Sequence, residues 1–210
     1  MDRLEAARHR RGVIVPDASS SASRDVNPID ADALWEFSLA FYEHPGVSRH
    51  CLALQDEAGA DVNLVLALLF AATRRTALGV DDVRRIDRSC ARWREAVIQP
   101  LRAVRRAASM GGAPDAADVY STLKSAELVA ERSEQRLLAR ELGELPRPAA
   151  TQLSATDTAT PTVDPKAALE IARANLAAYR VMVPIADSST EALLLAFAEF
   201  ITLAAPPPGG

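Results

Sequence analysis

From Asp30 onward, apolar residues recur at the three- and four-residue intervals that place them on one face of a helix. In ADALWEFSLAFYEH, Leu34, Phe37 and Phe41 share a stripe with Trp35 adjoining it, and Asp30 or Asp32 is placed to cap the first turn. His44-Pro45-Gly46 ends that helix, because proline disfavours helical backbone in the residue before it and glycine loosens the turn. A second helix is predicted from about Val47 to Ala58, on Val47, Cys51, Leu54 and Ala58, with Gly59 as its C-terminal cap. Asp61 precedes VNLVLALLFAATRRTAL, which is apolar nearly all round as far as Arg74 and Arg75 and so predicts a buried central helix. Gly79 closes it, and Asp81 or Asp82 opens the next.

That next segment carries one stripe through Val83, Ile86, Cys90, Trp93, Val97, Leu101 and Val104, past Pro100. A proline inside a helix removes a donor and clashes with the carbonyl four residues back. The chain must therefore either kink between Ile98 and Leu101 or continue as two helices in near line. Met110 to Pro114 reads as a loop, followed by a long amphipathic helix with Val119, Leu123, Ala126, Ala130, Leu137 and Leu138 inward. Glu127, Glu131, Glu134, Arg132, Arg136 and Arg140 form its predicted polar face. Leu169, Ala172, Leu176, Tyr179 and Val183 mark a further helix stopped by Pro184. Ser188-Ser189-Thr190-Glu191 spells a capping box before a last apolar helix, which Pro206 to Pro208 end.

The organisation that follows is all-α, a helical bundle of five or six helices with a linker and a C-terminal helical pair. Residues 1 to 29, rich in Ser, Pro and Asp toward their end, read as a mobile arm, and residues 30 to 145 as the bundle. Residues 146 to 165 have the Pro, Thr, Ala and Ser composition of a linker. Residues 166 to 205 form a pair that docks on the bundle or meets a partner. The 5% aromatic content, set against abundant Ala, Leu and Arg, agrees with helices whose core is aliphatic.

Charge and cysteine usage narrow the partners. A formal net charge of −4 disfavours nucleic acid. Cys51 and Cys90 have neither CxxC spacing nor a disulfide framework, which suits a reducing cytoplasm. No signal peptide is expected in MDRLEAARHRRG, and LLLAFAEFITLAA is too short to span a bilayer.

The densest polar chemistry lies in CLALQDEAGADVN, residues 51 to 63, where Gln55, Asp56, Asp61 and Asn63 could gather as oxygen ligands. Capping explains Asp61 and a chain reversal explains Gly59, so the stretch reads first as a joint between helices. Asn63 falls inside an apolar helix and must find partners, with Gln55 and Asp56 the nearest candidates. His50 beside Cys51 points about 100° away from it on a helix, and no HExxH, CxxC, GxSxG or phosphate-binding glycine loop occurs. Asp56 with Asp61, and Asp82 with Asp87, are five apart rather than the four used by isoprenoid synthases to hold magnesium diphosphate, so they do not converge. Residues 81 to 109 hold eight arginines against four acidic residues. Residues 30 to 61 carry seven acidic residues and one basic, and 115 to 144 carry seven and four, so acidic helices can neutralise the arginines internally. Arg102, Arg105 and Arg106 are the ones to test for a bound anion.

LWEFSLAFYEHPGVSRHCLALQDEAGADVNLVLALLF, then WREAVIQPLRAVRR, then SAELVAERSEQRLL resemble a family of small proteobacterial all-helical proteins grouped as a domain of unknown function. The resemblance covers about residues 33 to 142, and Trp35, Tyr42, Pro45, Gly46, Val47, Cys51, Leu52, Leu54, Gln55, Asp56, Gly59, Asp61, Val62 and Asn63 carry it. Ala71-Ala72-Thr73 stands where the family pattern has a tryptophan, which weakens any inference of an aromatic-lined site. The resemblance implies no activity.

On these grounds the chain reads as a non-enzymatic cytoplasmic interaction or assembly protein with a protein partner, and no catalytic residue, metal or cofactor is assigned. The alternative is a small-molecule or anion-binding protein, or an enzyme. Its pocket would gather Trp35, Tyr42, Gln55, Asp56, Asp61 and Asn63, with Arg102, Arg105 and Arg106 as charge partners. A ligand site requires a concave pocket, whereas an assembly protein requires an exposed apolar patch.

Overall fold

A computed structural model describes residues 29 to 145 and 164 to 204, and every element among them is helical. The expected N-terminal arm up to residue 28, the linker at 146 to 163 and the stop at Pro206 to Pro208 lie outside the described residues. The elements are α1 (Ala31–Glu43), α2 (Val47–Ala58), α3 (Val62–Thr73), α4 (Val80–Trp93), a π-helical turn (Arg94–Ile98), α5 (Gln99–Met110), α6 (Ala116–Gly143), α7 (Pro165–Arg180) and α8 (Asp187–Ala204). The protein is all-α. Residues 29 to 145 supply six helices, or five if the continuous rod of α4, the π turn and α5 is counted as one.

The ends of α1 to α3 are set by the residues that the pattern singles out. Asp30 caps α1 through the Asp32 N–H, and His44, with extended backbone, caps its other end. Gly46 (φ 84°) and Gly59 (φ 64°) take the left-handed backbone that bounds α2 on either side. Residues 63 to 72 of α3 are all buried, as its continuous apolarity requires. The helix does not run on to Gly79, however. It winds off at Arg74 and Arg75, the latter left-handed at φ 56°, with the Thr76 N–H closing back on the Ala71 carbonyl. Gly79 instead begins α4, its N–H bonded to the Asp82 carboxylate at 3.0 Å.

Pro100 neither breaks the rod nor sits unaided within an α-helix. The turn before it is widened, so that the Gln99 N–H reaches the Arg94 carbonyl five residues back and Pro100 falls in the first turn of α5, where no donor is required.

The central α3 is enclosed by α1, α2, α6 and α7. All five phenylalanines of the chain gather beside it: Phe37 and Phe41 from α1, Phe70 from α3, Phe197 and Phe200 from α8. Such edge-to-face and offset contacts add about 1 kcal/mol per pair to ordinary burial. The C-terminal pair is thus part of the same core. α7 buries Asn175, whose amide donates to the Leu68 and Thr76 carbonyls, both at 3.1 Å, and accepts from the Leu78 N–H at 2.8 Å. The capping box expected before α8 is replaced by another arrangement, with the helix starting at Asp187 and the Glu191 carboxylate gripping Arg173 of α7 at 2.6 and 3.0 Å.

Toward the other end, α5 and the start of α6 form an antiparallel arm. Residues 99 to 126 include no buried residue, and Val104, Met110 and Val119 are exposed.

Candidate functional site

The α2 to α3 joint is fixed by Asp61. Its Oδ1 accepts the Asn63 and Leu64 N–H groups at 2.9 and 3.2 Å, while its own N–H donates to the Tyr179 hydroxyl of α7 at 2.9 Å. These bonds satisfy the open turn of α3. The other oxygen, Oδ2, is different. The Asp61 side chain is 4% exposed, and Arg94 Nε lies 2.9 Å from Oδ2 as an ion pair, without an N–H aimed at it.

Asp61 also lines a cleft of about 300 Å³ formed by α2, α3, the π turn, α5 and α6. At its floor, Arg94 faces three carboxyls: Asp61, Asp87 at 2.7 Å and Glu134 at 3.5 Å. Glu134 Oε2 accepts from the Asn63 amide at 2.8 Å, and the Asn63 carbonyl accepts from Gln135 at 3.2 Å. Ser38 of α1 closes the chain, its hydroxyl 3.2 Å from Gln135 Oε1 and 2.8 Å from the Leu34 carbonyl. The π turn positions this floor directly, since Arg94 opens it and Ile98 ends it, and both line the cleft.

Three carboxyls about one guanidinium leave an excess of negative charge. Arg94 is held charged, because Asp61, Asp87 and Glu134 together outweigh the burial that opposes it. Glu134 is pushed well above the ordinary glutamate range, first by burial, then by the Asp61 charge, and by a hydrogen bond to Asp61 that only the protonated acid can make. The Asn63 amide and Arg94 work against this shift without cancelling it. A carboxyl raised on folding contributes stability that is full below its ordinary value of 4.5 and is lost as pH climbs through the raised value. Thermal stability should therefore fall between mildly acid and alkaline pH. Glu134→Gln, which keeps the shape but cannot ionise, should flatten that slope; an unchanged slope would place the titration elsewhere.

The mouth is formed by Gln55, Asp56, Gln99, Arg102 and Arg106. Every arginine proposed as an anion anchor is already matched. Arg102 binds Glu127 and Glu131, each at 2.8 Å, Arg105 binds Glu127 and lies over the Tyr120 ring, and Arg106 binds Asp56 at 2.7 Å. The hydrogen bonds from Arg105 and Arg102 hold Glu127 below the ordinary range despite its burial. Acidic helices neutralise the basic rod, as the charge distribution suggested.

Six of the nine candidate residues therefore line one cleft: Gln55, Asp56, Asp61, Asn63, Arg102 and Arg106. Trp35, Tyr42 and Arg105 do not. Trp35 stacks with Arg132, and Tyr42 is partly exposed with its hydroxyl pushed up to about 12 by burial, then by Cys51 and Glu131. The partners expected for Asn63 are corrected as well. They are Glu134 and Gln135 of α6, while Gln55 donates to its neighbour Asp56 at 3.5 Å. Glu127 and Glu134, placed on the solvent face by the charge pattern, are buried, whereas Val119 and Ala126 of the predicted apolar stripe are exposed. The signal for this was present in the seven-residue spacing of Glu127 and Glu134, with Ala130 between them on the same face of the helix.

The fold and cleft define an all-helical protein with a polar cleft of mixed charge at the joint of two helices. The chain belongs to the family described as Protein of unknown function (DUF2390), whose model matches residues 33–138. Every residue lining the cleft falls within that match, and α7 and α8 lie beyond it. No curated protein and no solved structure matches the chain.

Proposed function

We propose that this protein binds a small polar molecule in the cleft at the α2 to α3 joint. One observation carries the reading: a concave cleft at that joint is lined by polar and charged side chains from α2, α3, the π turn, α5 and α6, among them Asp61, Asn63, Arg94 and Glu134. The cleft volume lies at the lower end of the range for small-molecule sites. Cys51 and Cys90, both buried and free, support a reducing, cytoplasmic setting. The test is thermal-shift screening against a panel of polar metabolites, since a ligand that binds only the folded state must raise the melting temperature. We expect a hit whose shift is lost in Asp61→Asn. A shift that persists in that variant would move the site elsewhere.

The interaction reading has separate support in the α5 and α6 arm, which carries Val104, Met110 and Val119 in the open. Its partner would be a protein docking on that arm, at a distinct surface from the cleft floor.

A further inference from the structure

We infer that the exposed side of α1 is a docking surface for the chain's own N-terminal segment, with Arg8, Arg10 and Arg11 set against the carboxylates of the helix and Val13 to Val15 against an apolar strip beside them. That surface is separate from the cleft, which neither Trp35 nor Tyr42 lines.

α1 turns Leu34, Ser38 and Phe41 into the core, and two adjoining bands lie on the side turned away from it. Trp35, Leu39 and Tyr42 follow one another at intervals of four and three residues, which keeps them within about 60° round the helix axis and makes one strip of them. Leu39 is 45% exposed, Tyr42 is exposed too, and Trp35 is half-buried. Arg132 of α6 lies over the Trp35 ring, and Leu128, one turn before it on the same face of α6, extends the apolar surface with 48% of its area open. Asp32, Glu36 and Glu43 fall next to the strip round the axis, and α1 contains no lysine or arginine. Asp32 pairs with Arg132 at 3.0 Å, whereas Glu36 and Glu43 have no basic partner among the described residues. An apolar strip edged by unmatched carboxylates fits a partner that is apolar and basic at once.

The residues that precede α1 have that composition. MDRLEAARHRRGVIVP carries four arginines against two acidic residues, and Val13-Ile14-Val15 follows directly on the last arginines. The chain leads from there to Asp30, the N-terminal cap of the same helix. Between Val15 and Asp30 it can reach at most about 50 Å. α1 is about 20 Å long, so the segment can return over its whole length. Attachment also makes a weak contact sufficient, because a tethered segment acts at an effective concentration of about a millimolar. Other occupants fit less well. Residues 146 to 163 carry a single arginine and no run comparable to Val13 to Val15. A second copy presenting the same face would set Asp32, Glu36 and Glu43 against their own counterparts.

Photocrosslinking on the full chain tests this, with exposed Leu39 replaced by p-benzoylphenylalanine and the products mapped by protease digestion and mass spectrometry. We expect a product of monomer mass in which position 39 is joined to residues 3 to 16. Glu36→Lys together with Glu43→Lys should lower its yield by about fivefold or more, since exposed attractions become repulsions. Adding Arg8→Glu, Arg10→Glu and Arg11→Glu to that pair should restore the yield, and circular dichroism on each variant separates loss of docking from loss of fold. A product of dimer mass would put a second copy on the face, and monomer-mass products lacking residues 3 to 16 would leave it to a different partner; either overturns the assignment. So would a yield that the two lysines leave unchanged, or one that the exchanged charges fail to restore.

Discussion

Arg94→Met should lower the melting temperature by about 6 to 12 °C, because it leaves Asp61, Asp87 and Glu134 facing one another with no positive charge between them. Removing one partner of a buried pair costs about 3 kcal/mol or more, and in a chain of this size each kcal/mol is worth about 2 to 4 °C. The methionine fills a similar volume, so the loss reports charge rather than packing. It should also depend on pH, shrinking as the solution becomes acid enough to protonate the stranded carboxyls. A loss below about 2 °C at neutral pH would show that solvent, not Arg94, neutralises the floor.

Asn175→Ala is expected to cost about as much by another route. The amide serves three backbone groups across the junction of α3 and α4, and two of them, the Leu78 N–H and the Thr76 carbonyl, lie in the loop outside any helix ladder. Stranding buried backbone groups costs about 1 to 3 kcal/mol each, giving about 3 kcal/mol in sum. Asn175→Asp makes the sharper comparison. It keeps an acceptor for Leu78 but sets a carboxylate against two carbonyl oxygens, so urea denaturation should find it no more stable than the alanine variant. If Asn175→Asp retained wild-type stability, the clasp would not be holding the loop.

Much of the local structure was legible because it is decided by neighbours in sequence. Asp30, Gly46, Gly59 and Asp61 act on backbone groups within a few residues, and the ten buried residues of α3 announce themselves by lacking a polar face. Pro100 was legible as a disturbance but not in kind, since a π turn has the same composition as the α-helix it replaces. What could not be read were pairings between distant segments. Asn63 clearly needed partners, yet Glu134 and Gln135 are more than seventy residues away, at 71 and 72 positions, and which helix faces α3 is settled only by packing. The same holds for Tyr179 and Asn175, whose polar atoms look like stripe and spacer until α7 is laid against α3. The long α6 misled for a related reason. Its buried face is acidic where it meets the arginine-bearing rod and apolar only farther on, so a hydrophobic stripe drawn along its whole length selects the wrong side at its beginning.

The widened turn before α5 has a further consequence. Loss of a single codon between Arg94 and Ile98 would restore ordinary α-helical winding and leave the residues after it stacked over the same residues before it, because the wide turn takes up one extra residue. Arg102 would keep facing Glu127 and Glu131, and Arg106 Asp56, but Pro100 would then lie inside a regular α-helix with its ring against the carbonyl four residues back. A sequence one residue shorter there would keep the receptacle and strain the rod at its proline, so the extra residue is what lets a proline stand in mid-rod.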